Sequence, residues 1–381
     1  MLASVALMGL AACAPQVATR PTITGGAFVR TLAPLPPERP RTQVAVLLPM
    51  TGAQAPLGQS MLNATTLALF DAGSPEVELV PRDTGGTASG ASEAARAALS
   101  EGARVVVGPL TGAETGAAAG QARGASVPVL AFTNDAQQAG GGVWALGVTP
   151  AQQVRRLIVA ARTAGITRVA LAGPEGPFAR QLSSALTGAM VDAGLPPPIV
   201  VTYPARSSRA AAARQLKTEA GEEGIGLLIL AESGSQAREM AAALSAAGLP
   251  VPPLRLAGHA LWVTDTALGS EPALAGAWIP GPDALARAGF ESRYAAAFGE
   301  RPPRLAATAY DAAALAIRGV RGGPPGAPAR LPVGETVQGA DGALQLLPNG
   351  GVLRALAVYA LEPGSEPRLV EPAVLPGAAG S

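Results

Sequence analysis

Residues 43–69 read QVAVLLPMTGAQAPLGQSMLNATTLAL, and they set the pattern for most of the chain. The stretch opens with a short, nearly continuous apolar run that ends at Pro49, which is typical of a strand buried on both faces of a parallel sheet. A loop with Thr51 and Gly52 follows, and from Met61 the apolar residues recur at helical spacing. A buried strand followed by such a helix is the repeating unit of an α/β protein.

The same unit recurs in two series along the chain. In the first series, further strands are predicted at 77–83, 104–110 and 127–132, and helices at 61–72, 89–100 and 114–123. In the second series, strands are predicted at 167–173, 198–204, 225–231 and 254–258, and helices at 150–165, 176–194, 208–223 and 236–248. We therefore predict an α/β fold of two lobes, each with a doubly wound parallel sheet.

The end of the chain departs from this alternation. Residues 281–320 have a helical pattern, and residues 319–332 form a linker rich in Gly and Pro. The segment from Asp341 to residue 362 is predicted to be a hairpin, because Pro348-Asn349-Gly350-Gly351 is a strong turn signal and alternation follows from Val352.

Composition excludes several classes of function. The net charge of +1 gives no reason to expect a nucleic-acid partner. His259 is the only histidine and Cys13 the only cysteine, so a Cys/His zinc site is not expected and a Ser-His-Asp triad has one possible histidine. We place His259 in a loop beside a strand end. We predict no catalysis, no cofactor and no metal site.

The first residues, MLASVALMGLAAC, predict a lipoprotein signal peptide. The apolar run before Cys13 is too short to span a membrane, which takes roughly 20 residues. Leu10-Ala11-Ala12-Cys13 resembles the bacterial lipobox, which implies lipidation of Cys13 after removal of residues 1–12. Residues 13–42 are then a lipid-anchored, Pro-rich tether. No Lys or Arg precedes the apolar run, unlike an ordinary signal peptide, and the alternative is a buried segment with an incidental cysteine.

Ligand-binding residues are expected in the loops after the strands, because open α/β sheets bind ligands at the carboxyl ends of their strands. Hydroxyls, backbone amides and a carboxylate there could hold a small polar ligand between the lobes. The alternative is that Thr and Gly in these loops only turn the chain. The candidate cleft residues are Thr51, Thr111, Thr115, Thr133, Asn134, Glu175, Phe178 and Glu232.

Several blocks together resemble the type I periplasmic-binding-protein fold, in its leucine/isoleucine/valine-binding branch. They include the opening stretch, RVVVGPLTG at 104–112, VPVLAFTN at 127–134 and ITRVALAGPEGPFARQL at 166–182. The resemblance implies a chain that crosses three times between the lobes. Lobe one would comprise 43–147 and 272–330, and lobe two 148–271 and 331–381.

The resemblance leaves two functions open. A lipoprotein of this fold with a Pro-rich tether resembles the activators of penicillin-binding proteins, which implies a peptidoglycan synthase as partner and a membrane contact through the lipid. Because Ala14, and not Asp, follows Cys13, the sorting rule of enteric bacteria implies the periplasmic face of the outer membrane. The alternative is the substrate-binding protein of an ABC importer for branched-chain or related amino acids.

The predicted pocket favours the activator. Amino-acid binders of the family hold the ligand's carboxylate and amine with hydroxyls near the Gly108-Pro109 loop, where this chain has Ala113 and Glu114. A carboxylate there would repel the ligand's own carboxylate, although Thr111 and Thr115 could partly substitute. The aromatic residue that the family places before Gly-Glu-Gly is Pro174 here.

Overall fold

The computed structural model describes residues 41–206, 208–264, 268, 271–324 and 326–377. The amino-terminal half of lobe one is a five-stranded parallel sheet in the order β2-β1-β3-β4-β5. Its elements are β1 (Thr42–Leu48), α1 (Ala55–Ala72), β2 (Val77–Asp83), α2 (Ala88–Ser100), β3 (Val105–Val107), α3 (Gly112–Gly124), β4 (Val129–Ala131) and β5 (Val143–Ala145). The strand β5 was missed by the sequence pattern.

This sheet is buried on both faces by helices. Val44 and Val46 of β1 pack on the side of α1, whereas Ala45 and Leu47 pack against alanines of α2 and α3. Alanine side chains let these helices approach the sheet closely, which is how a chain with 3% aromatic residues fills its core.

Lobe two begins with α4 and contains the second sheet. The elements in chain order are α4 (Pro150–Thr163), β6 (Val169–Pro174), α5 (Pro177–Asp192), β7 (Ile199–Tyr203), α6 (Arg209–Ala220), β8 (Leu227–Leu230), α7 (Gly234–Ala246), β9 (Arg255–Ala257) and β10 (Trp278–Gly281). Short 3₁₀ turns lie at 136–138, 260–264 and 272–274.

The chain then returns to lobe one before it completes the second sheet. The returning elements are α8 (Ala284–Phe298), α9 (Ala306–Val320), β11 (Thr336–Gly339), β12 (Gly342–Leu346) and β13 (Val352–Arg354), and the strands form a small antiparallel sheet. Finally β14 (Leu356–Ala360) and β15 (Arg368–Val374) join the second sheet as antiparallel strands, which gives the order β15-β14-β10-β9-β8-β6-β7.

Two of the three points at which the chain crosses between the lobes differ from the predicted positions. The strand β10 pairs with β9 and β14, so the chain leaves lobe two after Gly281 and not near 272. Leu344, Leu346 and Val352 share a core with α1 and α9, so the return to lobe two comes at Ala355 and not near 330. The Gly/Pro segment remains in lobe one, where Arg330 N donates to Gly319 O.

The predicted carboxyl-terminal hairpin is correct only for its first half. β12 and β13 flank the turn at 347–351 as a hairpin, but the run from Val352 is split at Ala355, and β14 pairs with β10 in the other sheet. The first crossing lies between β5 and α4. Arg354, at the end of β13, links the third crossing to the first, because its Nε donates to Leu146 O just after β5 (2.8 Å). Its Nη1 donates to the buried Asp311 of α9 (2.8 Å).

Candidate functional site

Polar residues follow the strands of both sheets at their carboxyl ends and form one cluster on each lobe. In lobe one, the Asp83 carboxylate ends β2 and accepts hydrogen bonds from Thr51 Oγ1 (2.6 Å), Met50 N (2.8 Å) and Gly85 N (2.8 Å). The Thr51 hydroxyl, followed by the backbone donors, lowers the pKa of Asp83. The predicted ligand residue Thr51 is therefore held by a neighbouring carboxylate.

Glu114 has a structural role at the start of α3. Its Oε2 accepts from Thr111 N (3.0 Å) and Thr111 Oγ1 (2.7 Å), while Glu114 N donates back to that hydroxyl, which makes a capping box. Its Oε1 accepts from Thr84 Oγ1 (2.6 Å), and the residue is fully buried. Thr115 Oγ1 donates to Thr111 O (2.7 Å). The hydroxyls of Thr111 and Thr115 are thus engaged inside the lobe.

The loop after β4 brings a second carboxylate to the same helix end. Thr133 Oγ1 accepts from Asp135 N (3.1 Å), and Asp135 Oδ2 accepts from Gln138 Nε2 (3.1 Å). A β-carbon at Gly112 would lie 2.9 Å from Asp135 Oδ2, so this carboxylate rests against the first turn of α3. Asn134 is exposed in the same loop. An incoming carboxylate would meet negative charge here.

The cluster on lobe two is built around the buried Glu232, which follows β8. Its Oε1 accepts from Nε (3.1 Å) and Nη2 (2.8 Å) of Arg209, the first residue of α6. Its backbone oxygen accepts from Trp262 Nε1 (2.7 Å). A carboxylate with no exposed side-chain surface needs such a partner, because burying an unpaired charge is costly.

Two buried oxygens in this cluster have no hydrogen-bond partner among the described residues: Glu232 Oε2 and the hydroxyl of Tyr203, which ends β7. Burial, and secondarily the adjacent Glu232 carboxylate, raise the pKa of Tyr203, although no hydrogen bond of ordinary geometry joins the two. Since nearly all buried polar groups in proteins are bonded, this pair requires an explanation.

An aromatic wall adjoins the unpaired oxygens. His259 follows β9, is 5% exposed, and its Nε2 lies 2.8 Å from Ser233 Oγ. Its ring meets Phe178 edge-on at 5.0 Å between centroids and Trp262 at 6.4 Å. Burial lowers the pKa of His259 to about 4, so the imidazole is neutral at pH 7.

The structure divides the predicted residues between the lobes. Glu232 and Phe178 lie in the lobe-two cluster, and Glu175 adjoins it through its amide, which donates to Tyr203 O (2.7 Å). Thr51, Thr111, Thr115 and Thr133 belong to the lobe-one cluster. No hydrogen bond or ion pair between described residues joins the two clusters.

Sequence reasoning missed the partners of these residues. Tyr203 and Asp83 each end a strand, so the rule that selected the loops should have extended one residue back into the strand. No sequence pattern indicated that Arg209 would pair with Glu232, because this contact depends on where α6 begins. His259 was placed correctly beside a strand end but was given no role in the site.

The described residues provide neither a metal site nor a membrane-spanning helix. Within the ranges that the structure describes, no three His, Cys, Asp or Glu side chains come together as a metal site, and no helix is long and apolar enough to cross a membrane. Cys13 and the tether as far as residue 40 lie outside the described residues, so their predicted roles stay predictions, whereas Thr42, which was assigned to the tether, begins β1.

Comparisons with known proteins agree with this architecture. Among solved structures, the chain is similar to a candidate branched-chain amino acid ABC transporter protein from Rhodospirillum rubrum (21% identity, TM-score 0.74, covering 87% of this chain and 100% of that one). It is also similar to a branched-chain amino acid ABC transporter ligand-binding protein from Burkholderia xenovorans (17%, 0.71, 88% and 94%). A third is a solute-binding protein from Rhodopseudomonas palustris, solved with 3,4-dihydroxybenzoic acid (18%, 0.61, 88% and 96%).

At these identities the likeness shows the fold alone. No curated protein matches the sequence. The family model described as periplasmic binding protein matches residues 41–344, which is most of the chain. Together with the two-lobed α/β architecture, this match shows that the chain belongs to the periplasmic binding protein family.

Proposed function

We propose that this protein is a solute-binding protein that holds a small amine-bearing ligand between its lobes for an ABC importer. The observation that carries the proposal is the pair of buried oxygens, Glu232 Oε2 and Tyr203 Oη, which have no partner among the described residues. A folded protein keeps such groups at a cost unless a ligand supplies the missing hydrogen bonds.

The chemistry of the cluster favours a cationic donor. Glu232 Oε2 is an acceptor, and the raised pKa of Tyr203 keeps its phenol protonated, able to accept or donate. An ammonium group could donate to both. The edge of Phe178 and the neutral His259 would then flank the apolar part of the ligand.

Lobe one favours the same class of ligand. Asp83 and Asp135 place negative charge at its strand ends, and the hydroxyls expected to receive a ligand carboxylate are already bonded to protein groups. An amine is therefore favoured over a simple carboxylate. An amino acid fits the cleft when its carboxylate faces water or the exposed Asn134.

A matched set of three compounds tests this. Leucine, 3-methylbutylamine and 4-methylpentanoate share the same branched side chain. Leucine carries both an amine and a carboxylate, 3-methylbutylamine carries only the amine, and 4-methylpentanoate carries only the carboxylate. A ligand at 100 times its Kd stabilises a folded protein by about 2.7 kcal/mol, which a thermal-shift assay detects. We expect a rise in Tm with the amine or with leucine and none with the acid. A rise with the acid alone would contradict the proposal.

A second candidate function is activation of a penicillin-binding protein. The observation in its favour is that the hydroxyls of Thr51, Thr111 and Thr115 in lobe one are bonded to protein groups. They are therefore not available to hold the carboxylate of an amino acid, which agrees with a scaffold that binds none. This candidate predicts no thermal shift with any of the three compounds, together with retention of a peptidoglycan synthase on the immobilised protein. It also predicts that Glu232→Gln leaves that retention intact, whereas solute binding would be lost.

Anchoring at Cys13 and location at the outer membrane are separate proposals. Metabolic labelling with palmitate tests the first, because wild type should take up label and Cys13→Ser should not. Fractionation of the labelled cells tests the second, since the label should follow outer-membrane markers.

A further inference from the structure

A second pocket lies at the opposite end of the lobe-one sheet from the candidate cleft. Its volume is about 540 Å³, and it is formed where β4 and β5 begin, between the end of α3 and the segment at 329–333. Thr133 follows β4 at its carboxyl end, whereas Val127 and Pro128 precede that strand and line the pocket. The two sites therefore lie at opposite ends of the same strands.

Positive charge dominates this pocket. Arg123, in the last turn of α3, and Arg330 both line it, and neither guanidinium makes a hydrogen bond or ion pair with a residue that the structure describes. No acidic side chain is among the lining residues. Elsewhere on the chain an arginine such as Arg318 has an acidic partner, Glu335. An uncompensated pair of guanidiniums in one concavity attracts anions.

The turn beneath Arg123 is shaped to accommodate it. Gly141 and Gly142 have φ values of 59° and 86°, which favour glycine, and both line the pocket. A β-carbon at Gly141 would lie 3.1 Å from Arg123 Nε, so a side chain there would crowd the guanidinium.

Apolar side chains form one side of the pocket. The half-buried Trp144 lines the pocket and is held by a hydrogen bond from its Nε1 to Leu347 O (2.9 Å). Leu331 and Val333 complete this side. The pocket thus combines two guanidinium groups with an indole ring of fixed orientation and aliphatic side chains, as in pockets that bind amphipathic ligands.

We propose that this pocket binds an amphipathic anion, with a phosphate or carboxylate group held by Arg123 and Arg330 and an apolar body against Trp144 and Leu331. Arginine suits this role because its planar fork donates two parallel hydrogen bonds to either anion. The site is independent of the cleft and of the function proposed for it.

Isothermal titration calorimetry with four probes tests the site. Phenyl phosphate and benzoate carry both parts, inorganic phosphate carries the anion alone, and benzyl alcohol carries the ring alone. We expect one molecule of phenyl phosphate or benzoate per chain, and binding at least tenfold weaker for inorganic phosphate and benzyl alcohol. Phenyl phosphate and benzoate also distinguish the two anion classes by their relative affinities.

Matched variants localise the binding. Arg123→Gln and Arg330→Gln change exposed side chains and should each weaken it at least tenfold, because each removes a charge-assisted hydrogen bond. Arg96→Gln, an exposed arginine on α2 of the same lobe, should leave it unchanged, and so should Glu232→Gln in the cleft. Absence of binding by both amphipathic probes would overturn the proposal. So would equal binding by the Arg123→Gln/Arg330→Gln double variant, or equal loss in Arg96→Gln.

Discussion

The two clusters at the strand ends differ in how completely the protein satisfies its own polar groups. In lobe one, Glu114 receives hydrogen bonds from Thr84 and Thr111, and Asp83 receives three more. In lobe two, Glu232 Oε2 and the Tyr203 hydroxyl are buried without a partner among the described residues. The carboxylates of the lobe-one cluster are therefore satisfied without a ligand, whereas the lobe-two cluster retains unused binding capacity.

The largest effect is expected at the buried ion pair of lobe two. Glu232→Ala should lower the free energy of unfolding by about 3 kcal/mol, because it leaves the largely buried Arg209 with only the exposed Glu239 at 3.6 Å. Urea denaturation measures this. Glu232→Gln is the control, since its amide oxygen can still accept from Arg209, and it should lose less than half as much. Equal losses would show that the charge is irrelevant.

A pH effect of similar size is expected from His259. Its pKa is about 4 in the folded protein, against about 6.5 when unfolded, so the unfolded chain binds more protons between these values. The stability from the neutral ring is present above pH 6.5 and falls by about 3 kcal/mol as the pH drops to 4.

The comparison with His259→Gln isolates this effect. Burial raises the pKa of Asp311 to about 6, which changes stability in the opposite direction over the same range. Urea denaturation of both proteins at pH 7.5 and 4.5 should therefore show a larger loss for wild type than for the variant. Parallel losses would contradict the burial of a neutral ring.

A smaller effect is expected from the helix cap of lobe one. Thr111→Ala should cost about 1–2 kcal/mol of stability, because it removes the N-cap of α3 and one donor to Glu114. It should leave the affinity for any ligand found by thermal shift unchanged, because the hydroxyl is engaged inside the lobe. A tenfold loss of affinity without a loss of stability would show that Thr111 binds ligand instead.

The fold could be predicted because strand and helix periods are local properties. The run Val44–Leu48 and its repeats indicate buried parallel strands, and the family resemblance adds the two-lobed arrangement. The second and third crossings were misplaced because they depend on partners distant in sequence. Trp278 pairs with Ala257 and Ala360, and nothing within residues 278–281 indicates that pairing.

Sequence reasoning led to several residues of the two candidate clusters but not to their contacts. Strand-end loops led to Glu232 and Phe178, but the prediction that Glu114 would repel a ligand in the cleft missed its role as a cap. The capping box Thr111-x-x-Glu114 is a recognisable sequence signal, and it should have been preferred. The Arg209–Glu232 pair and the unsatisfied Tyr203 hydroxyl depend on tertiary packing and cannot be read from local sequence.

The most direct test of the unused binding capacity is Tyr203→Phe, which removes only the unpaired hydroxyl. Without ligand, we predict an unfolding free energy in urea that is unchanged or higher by up to about 1 kcal/mol, because no hydrogen bond of ordinary geometry is lost. With whichever of leucine and 3-methylbutylamine stabilises wild type more, we predict an affinity at least tenfold weaker in the variant. A loss of more than about 1 kcal/mol without ligand would contradict the account, because the hydroxyl would then be bonded within the protein. Undiminished affinity would contradict it equally.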